Sequence, residues 1–262
     1  FNACFGHYID IVKFLYANLI YKLISSNSTI SFNTRMPIIQ SYYRPPAYLF
    51  NGYLQTIAPV FGVKRDNTLY QTEKLELPDG DFLELDWIRG GNDKLMILCH
   101  GLEGNSRSHY VQQMAVHFKA LGWDILAMHA RSCGREMNRL PVLYHGGSTK
   151  DVETVVMKYA ENYSSLVLVG FSLGGNMALN FVGRHSIPAN LRAIVAFSVP
   201  CDLNKSEQKI DRLINQVFAR KFLDKLKNKV RKLEIHHPGI FDVNALDGMK
   251  SIQAFSANFT AP

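Results

Sequence analysis

Leu166-Val167-Leu168-Val169 runs straight into Gly170-Phe171-Ser172-Leu173-Gly174-Gly175, and the next segment, Asn176-Met177-Ala178-Leu179-Asn180-Phe181-Val182, has apolar residues at helical spacing. Four consecutive β-branched or leucine residues read as a strand buried on both faces, the kind found in parallel sheets. Where such a strand turns directly into a helix, the two backbones cross closely, and glycines at 170 and 174 provide the space. The residue between them is forced into a strained conformation, with its side chain held out at the sheet edge. That residue is Ser172.

The remainder of the chain agrees with such a sheet. Thr72–Leu77 and Phe82–Trp87 alternate apolar and polar residues around Pro78-Asp79-Gly80-Asp81, which predicts a β-hairpin. Strands follow at 94–99, 124–128, 166–169 and 193–199, with helices at 110–121, 149–163 and 173–184. Alternating β and α with near-continuous apolar strands predicts a mostly parallel sheet covered on both faces. A length of 262 residues, 47% of them apolar, suits one α/β domain with an insertion or two and excludes disorder throughout.

Residues 206–233 differ in character. Ile210, Leu213, Ile214, Val217, Phe218, Phe222, Leu226, Val230 and Leu233 recur at three- and four-residue steps, with lysines between them, which predicts one amphipathic helix. Following a sheet strand, it would lie above the C-terminal strand edge as a cap or lid over Ser172, or else pack on the sheet. Much of the formal charge of +7 is concentrated here, with ten Lys or Arg against four acids between 203 and 237. A solvated helix face accounts for this; weak contact with an anionic membrane surface is the alternative. Without a recognition helix, zinc finger or stacking motif, no nucleic-acid partner is expected.

Cys4, Cys99, Cys133 and Cys201 are too scattered for a disulfide framework, and the absence of C-x-x-C or H-E-x-x-H spacing gives no metal site and no cofactor. The chain opens on Phe1, and a distinct pattern begins at Met36. Residues 1–35 therefore read as a leader, poorly ordered or non-native, with an interfacial helix over Tyr8–Ile24 as the alternative; four polar residues interrupt that stretch, so it is no membrane span. With no secretory cleavage pattern, the expected location is cytoplasmic, with peripheral membrane contact as the alternative. The expected organisation is a leader over 1–35, an α/β core over 36–202 and a helical cap or lid over 203–262.

A serine presented on such a turn serves acyl transfer if two donors hold the developing oxyanion. One is the Leu173 amide, at the positive end of its helix. The other is expected from the loop after strand 94–99, His100-Gly101-Leu102-Glu103-Gly104, through the Leu102 amide. His100 itself reads as a loop histidine bonded to backbone. Serine also needs an imidazole base oriented by a carboxylate. Asp202, His236 and His237 are the weak candidates, because no later strand comparable to 193–199 precedes Pro262. The expectation is that the chain stops before the strands that would carry the acid and the base.

Several ordered motifs make the chain resemble the YheT-like branch of the α/β-hydrolase superfamily: Gln55-Thr56-Ile57-Ala58-Pro59, the Asp79-Gly80-Asp81-Phe82 hairpin ending in Asp86-Trp87, the loop 100–104, Glu136–Leu140 with Tyr144-His145, and the elbow 170–176. The resemblance implies an α/β-hydrolase fold and a carboxylic-ester hydrolase acting on lipid or short-chain esters through a Ser-Asp-His triad. Ser172, the Leu102 and Leu173 amides and the motif glycines Gly101, Gly170 and Gly174 carry over; the aspartate and histidine have no matching positions. The chain departs from the family pattern at His129–Glu136, which leaves the packing of that loop open. A non-catalytic binding protein, with an apolar ligand beneath 206–233, is the reading from a different class. Neither acyl chain, leaving group nor oligomeric state is written in these residues.

Overall fold

A computed structural model describes residues 44–62 and 69–260. The leader expected over 1–35 lies outside the described residues.

Helix α1 (Gly52–Gly62) precedes the hairpin β1 (Gln71–Glu76) and β2 (Phe82–Ile88). Then come β3 (Lys94–Cys99), α2 (His109–Ala120), β4 (Asp124–Met128), α3 (Thr149–Ala160), β5 (Ser165–Phe171), α4 (Leu173–Arg184) and β6 (Leu191–Phe197). The six strands form one sheet in the order β1-β2-β4-β3-β5-β6. β4-β3, β3-β5 and β5-β6 pair in parallel, while β1-β2 and β2-β4 are antiparallel. The expected mostly parallel sheet with an N-terminal antiparallel hairpin is what forms.

Strand alternation distributes the core over both faces. Ile97, Leu126, Leu166 and Leu168 pack with Val152 and Val156 of α3 and Met177 and Phe181 of α4. Met96, Leu98, Val167 and Val169 face the other way, onto Met114 and Phe118 of α2. In register, Cys99 stands beside Gly170 and Phe171 beside Phe197, so β3, β5 and β6 end at one level. The loops after these strands therefore emerge side by side at the C-terminal edge, where parallel sheets place their ligands.

Strand β2 keeps its period of two in chemistry but not in exposure. Leu83, Leu85 and Trp87 join the core, while Glu84 and Asp86 are also buried, on the other face. Their cover is the segment 129–139, whose packing the sequence had left open. Arg131 makes two bonds to Asp151 (2.8 and 2.9 Å) and ion pairs to Asp79 (2.7 Å) and Asp81 (3.1 Å). Glu84 accepts the Arg135 and Glu136 amides, and Asp86 accepts from Ser106 and Thr72. Although burial would raise it, the His129 ring at 3.2 Å, with Ser106 and Thr72, holds the Asp86 carboxyl well below its usual range.

The single helix expected over 206–233 is divided. α5 (Leu203–Ile210) ends at Asp211, a short 3-10 turn occupies Leu213–Asn215, and α6 spans Gln216–His236. Asp211 explains the break: its carboxylate accepts the amides of Ile252 (2.8 Å) and Gln253 (3.0 Å) at the start of α8 (Ile252–Phe259). A side chain that caps a neighbouring helix holds the chain where one continuous helix would run past. Leu223, Leu226, Val230 and Leu233 of α6 form a third apolar cluster with Leu143, Phe255 and Leu246, the last in α7 (Asn244–Gly248). No helix of the described residues is long and apolar enough to cross a membrane.

Candidate active site

Ser172 sits between β5 and α4 with φ 51° and ψ −117°, in the left-handed region that L residues avoid. Its conformation is held from both sides. The Ser172 amide donates to Phe197 O (2.8 Å) at the end of β6, and its carbonyl accepts from Asn176 (3.0 Å) in α4. A Cβ on Gly170 would lie 2.5 Å from Gly175 Cα, and one on Gly174 would lie 2.5 Å from Cys99 O. Both glycines are thus demanded by backbone crossing backbone, as the sequence pattern implied.

Gly174 brings the start of α4 against the end of β3, and Gly101 completes the contact. A methyl group on Gly101 would lie 3.2 Å from Ser172 Cβ and 3.3 Å from Phe171 O. The loop 100–104 therefore abuts the serine. It is pinned by Gly101 N–H donating to Tyr110 Oη (3.0 Å) and Gly104 N–H donating to Gly101 O (3.0 Å). Among the described residues, no hydrogen bond occupies the Leu102 amide, and Leu173, as the first residue of α4, has no intrahelical acceptor. Among the described residues both amides are thus without a hydrogen-bond acceptor.

His100 is buried, and both of its ring nitrogens are engaged by backbone. Nε2 accepts from Ala130 N–H (3.0 Å), which leaves the proton on Nδ1 to donate to Gly101 O (2.7 Å). Burial pushes its pKa down to about 3, so the ring is neutral. It fastens the loop to the end of β4 and has no lone pair left for a proton.

Sequence reading passed over the partners of Glu103. That residue has φ 52°; its amide donates to Tyr144 Oη (2.6 Å), and its carboxylate pairs with Lys229 Nζ of α6 at 2.6 Å. Lys225 Nζ adds a bond to the Glu103 carbonyl (3.0 Å). Lys229 also contacts Cys133 Sγ (3.1 Å) and stands over the Tyr144 ring. Despite burial, this company raises the Lys229 pKa, and burial raises that of Tyr144. Only the Tyr144-His145 motif hinted at this: lysines at 225 and 229 share one helix face, but nothing local links them to residue 103.

No hydrogen bond among the described residues joins the remaining candidates to the serine. Asp202 is the N-cap of α5, accepting from Lys205 N (2.9 Å) and pairing with its ammonium (3.1 Å). His236 is exposed at the last turn of α6, and His237 follows it. Among the described residues, no hydrogen bond reaches the Ser172 hydroxyl, and these three groups make none with one another.

A parallel sheet whose strand-to-helix turn holds a strained serine beside a glycine-bearing loop is an α/β-hydrolase arrangement. Residues 94–259 match the model of the alpha/beta hydrolase fold family, and the chain belongs to that family. It is similar to "Putative esterase YheT" of Escherichia coli (strain K12), with 30% identity over 80% of this chain and 64% of that protein. It is also similar to phospholipase ABHD3 of Bos taurus, 25% identical over 86% of this chain and 58% of the relative. Monoacylglycerol lipase of Saccharomyces cerevisiae is 26% identical over 98% of this chain and 57% of that protein. The chain thus spans about three fifths of the length of these relatives.

Proposed function

We propose that this protein is a carboxylic-ester hydrolase in which Ser172 is the nucleophile and the Leu102 and Leu173 amides form the oxyanion hole. The backbone at Ser172 carries this reading: a left-handed serine between close-packed glycines has a conformational cost on the order of 1–3 kcal/mol and no structural use that a glycine would not serve better. Ser172 Oγ attacks the acyl carbon, and a general base takes its proton. The carbonyl electrons move onto the oxygen, where the two amides hold the charge. Collapse expels the alcohol with a proton returned from the base, and water then releases the acid from the acyl-serine by the same steps in reverse roles.

His100 is excluded as that base by its two backbone bonds, and Asp202 with His236 or His237 is disfavoured by the geometry described above. The relatives named esterase, phospholipase and monoacylglycerol lipase favour lipid or short-chain acyl esters. Helices α5 to α8 act as the lid, with the basic face of α6 making at most weak contact with anionic membrane surfaces, and the protein is placed in the cytoplasm. Should no base reach Ser172, the same turn and lid would serve the other reading, a non-catalytic pocket for an apolar ligand.

A fluorophosphonate phosphonylates an activated serine and tests both readings. Labelling of the full-length protein that disappears in Ser172→Ala, together with Ser172-dependent hydrolysis of p-nitrophenyl esters, is expected. Absence of both in a folded full-length protein would sink the hydrolase.

A further inference from the structure

A cavity of about 250 Å³ opens beside the loop 100–104, between that loop, the segment 132–137 and α6. Among the described residues its lining includes Lys225, Lys229 and Lys232 together with Asn105, Asn228 and Ser132, and Glu103 is the one carboxylate-bearing residue there. Three lysines at steps of four and three occupy one face of α6. Their charges are not equally compensated. Glu103 is committed to Lys229 in the buried pair at 2.6 Å. Among the described residues, neither Lys225 nor Lys232 has a carboxylate partner; Lys225 donates only to the Glu103 carbonyl. The residues around the cavity therefore carry an excess of two positive charges.

Its position gives that excess a use. Glu103 directly follows Leu102, and consecutive Cα atoms lie about 3.8 Å apart, the scale of a glycerol backbone. An ester whose carbonyl oxygen met the Leu102 amide would bring a group attached a few bonds away to the cavity mouth. Lysine ammonium groups grouped around one small volume suit tetrahedral phosphate oxygens, through charge-assisted hydrogen bonds.

We propose that the cavity lined by Lys225, Lys229 and Lys232 is a phosphate subsite, so that the substrate is a carboxylic ester bearing a phosphate group near the scissile acyl carbon. This rests on the hydrolase reading for the position of the acyl carbon, while the binding of phosphate itself does not.

Calorimetry on full-length Ser172→Ala protein measures the subsite without turnover. Dihexanoyl phosphatidic acid should bind about tenfold or more tightly than neutral dihexanoylglycerol, and Lys225→Gln/Lys232→Gln in the same background should abolish the preference; both lysines are exposed, and an unchanged thermal midpoint confirms that the variant is folded. Inorganic phosphate is the third titrant. Lysine-dependent binding weaker than that of the lipid marks a headgroup subsite; binding as tight as that of the lipid marks a site for the free anion, and overturns the substrate assignment while leaving the anion site. Equal affinity for charged and neutral lipids, or a preference indifferent to the two lysines, overturns the subsite. Fluorophosphonate labelling of the Ser172 protein decides the hydrolase separately: labelling without phosphate preference removes the subsite alone, and phosphate preference without labelling removes the hydrolase alone.

Discussion

Lys229 and Glu103, 126 positions apart in the chain, meet at 2.6 Å in an ion pair with both side chains buried. The pair joins α6 to the loop 100–104, which abuts Ser172 through Gly101. Breaking a buried pair from one side leaves an uncompensated charge, which costs about 3–5 kcal/mol. Lys229→Met should lower unfolding stability by about that amount in urea titrations. Lys229→Met combined with Glu103→Gln should recover most of the loss, since the second change removes the stranded charge. An additive double variant would show that the two residues do not act as a pair.

Ser172 is held at φ 51°. Ser172→Gly should abolish hydrolysis yet raise stability by up to about 1 kcal/mol, the relief of left-handed strain being partly offset by glycine's greater entropy in the unfolded chain. Ser172→Ala, which retains the Cβ, should abolish hydrolysis without that gain. Denaturation midpoints of the two variants make the comparison, and equal midpoints would show that the elbow is unstrained.

Gly174 allows no side chain, because an added Cβ would lie 2.5 Å from Cys99 O and closer still to His100 O. Gly174→Ala must push α4 away from the end of β3. A loss of about 1–3 kcal/mol is expected from overpacking, together with fluorophosphonate labelling slowed well beyond the stability change. Gly183→Ala, in the same helix with open space around it, is the control and should be neutral or slightly stabilising.

His100, with its pKa pushed down to about 3, makes stability depend on pH with a definite sign. Above its unfolded value of about 6.5 the ring is neutral in both states. As pH falls from there towards 3 the unfolded chain binds a proton that the folded one refuses, so stability drops across that window. Against the wild type, His100→Gln should be less stable at pH 7 but should lose less on acidification. A parallel decline of both proteins would assign the acid sensitivity elsewhere.

Most of the sheet was legible because its signals are local. Apolar runs at 94–99 and 124–128 needed no partner to be read as buried strands, and each reappears as β3 (Lys94–Cys99) and β4 (Asp124–Met128). The elbow was legible for the same reason, since glycine spacing reports how closely two successive elements cross. Elements whose limits depend on distant residues were read less well. The helix expected over 206–233 breaks where Asp211 caps α8, 41 residues later, and the burial of Glu84 and Asp86 follows from a segment beginning more than forty residues further on.

From the sequence alone came the order of strands and helices, the α/β-hydrolase resemblance and Ser172 as the residue at the turn, because strand periodicity and glycine spacing are properties of a few adjacent residues. Only the tertiary structure decided that His100 is a neutral backbone clamp, that Glu103 and Lys229 tie α6 to the loop beside the serine, and that Lys225 and Lys232 of α6 have no carboxylate partner among the described residues around a cavity. Charge and protonation depend on which groups share a small volume away from water, and these partners come from segments as far apart as residues 103 and 229.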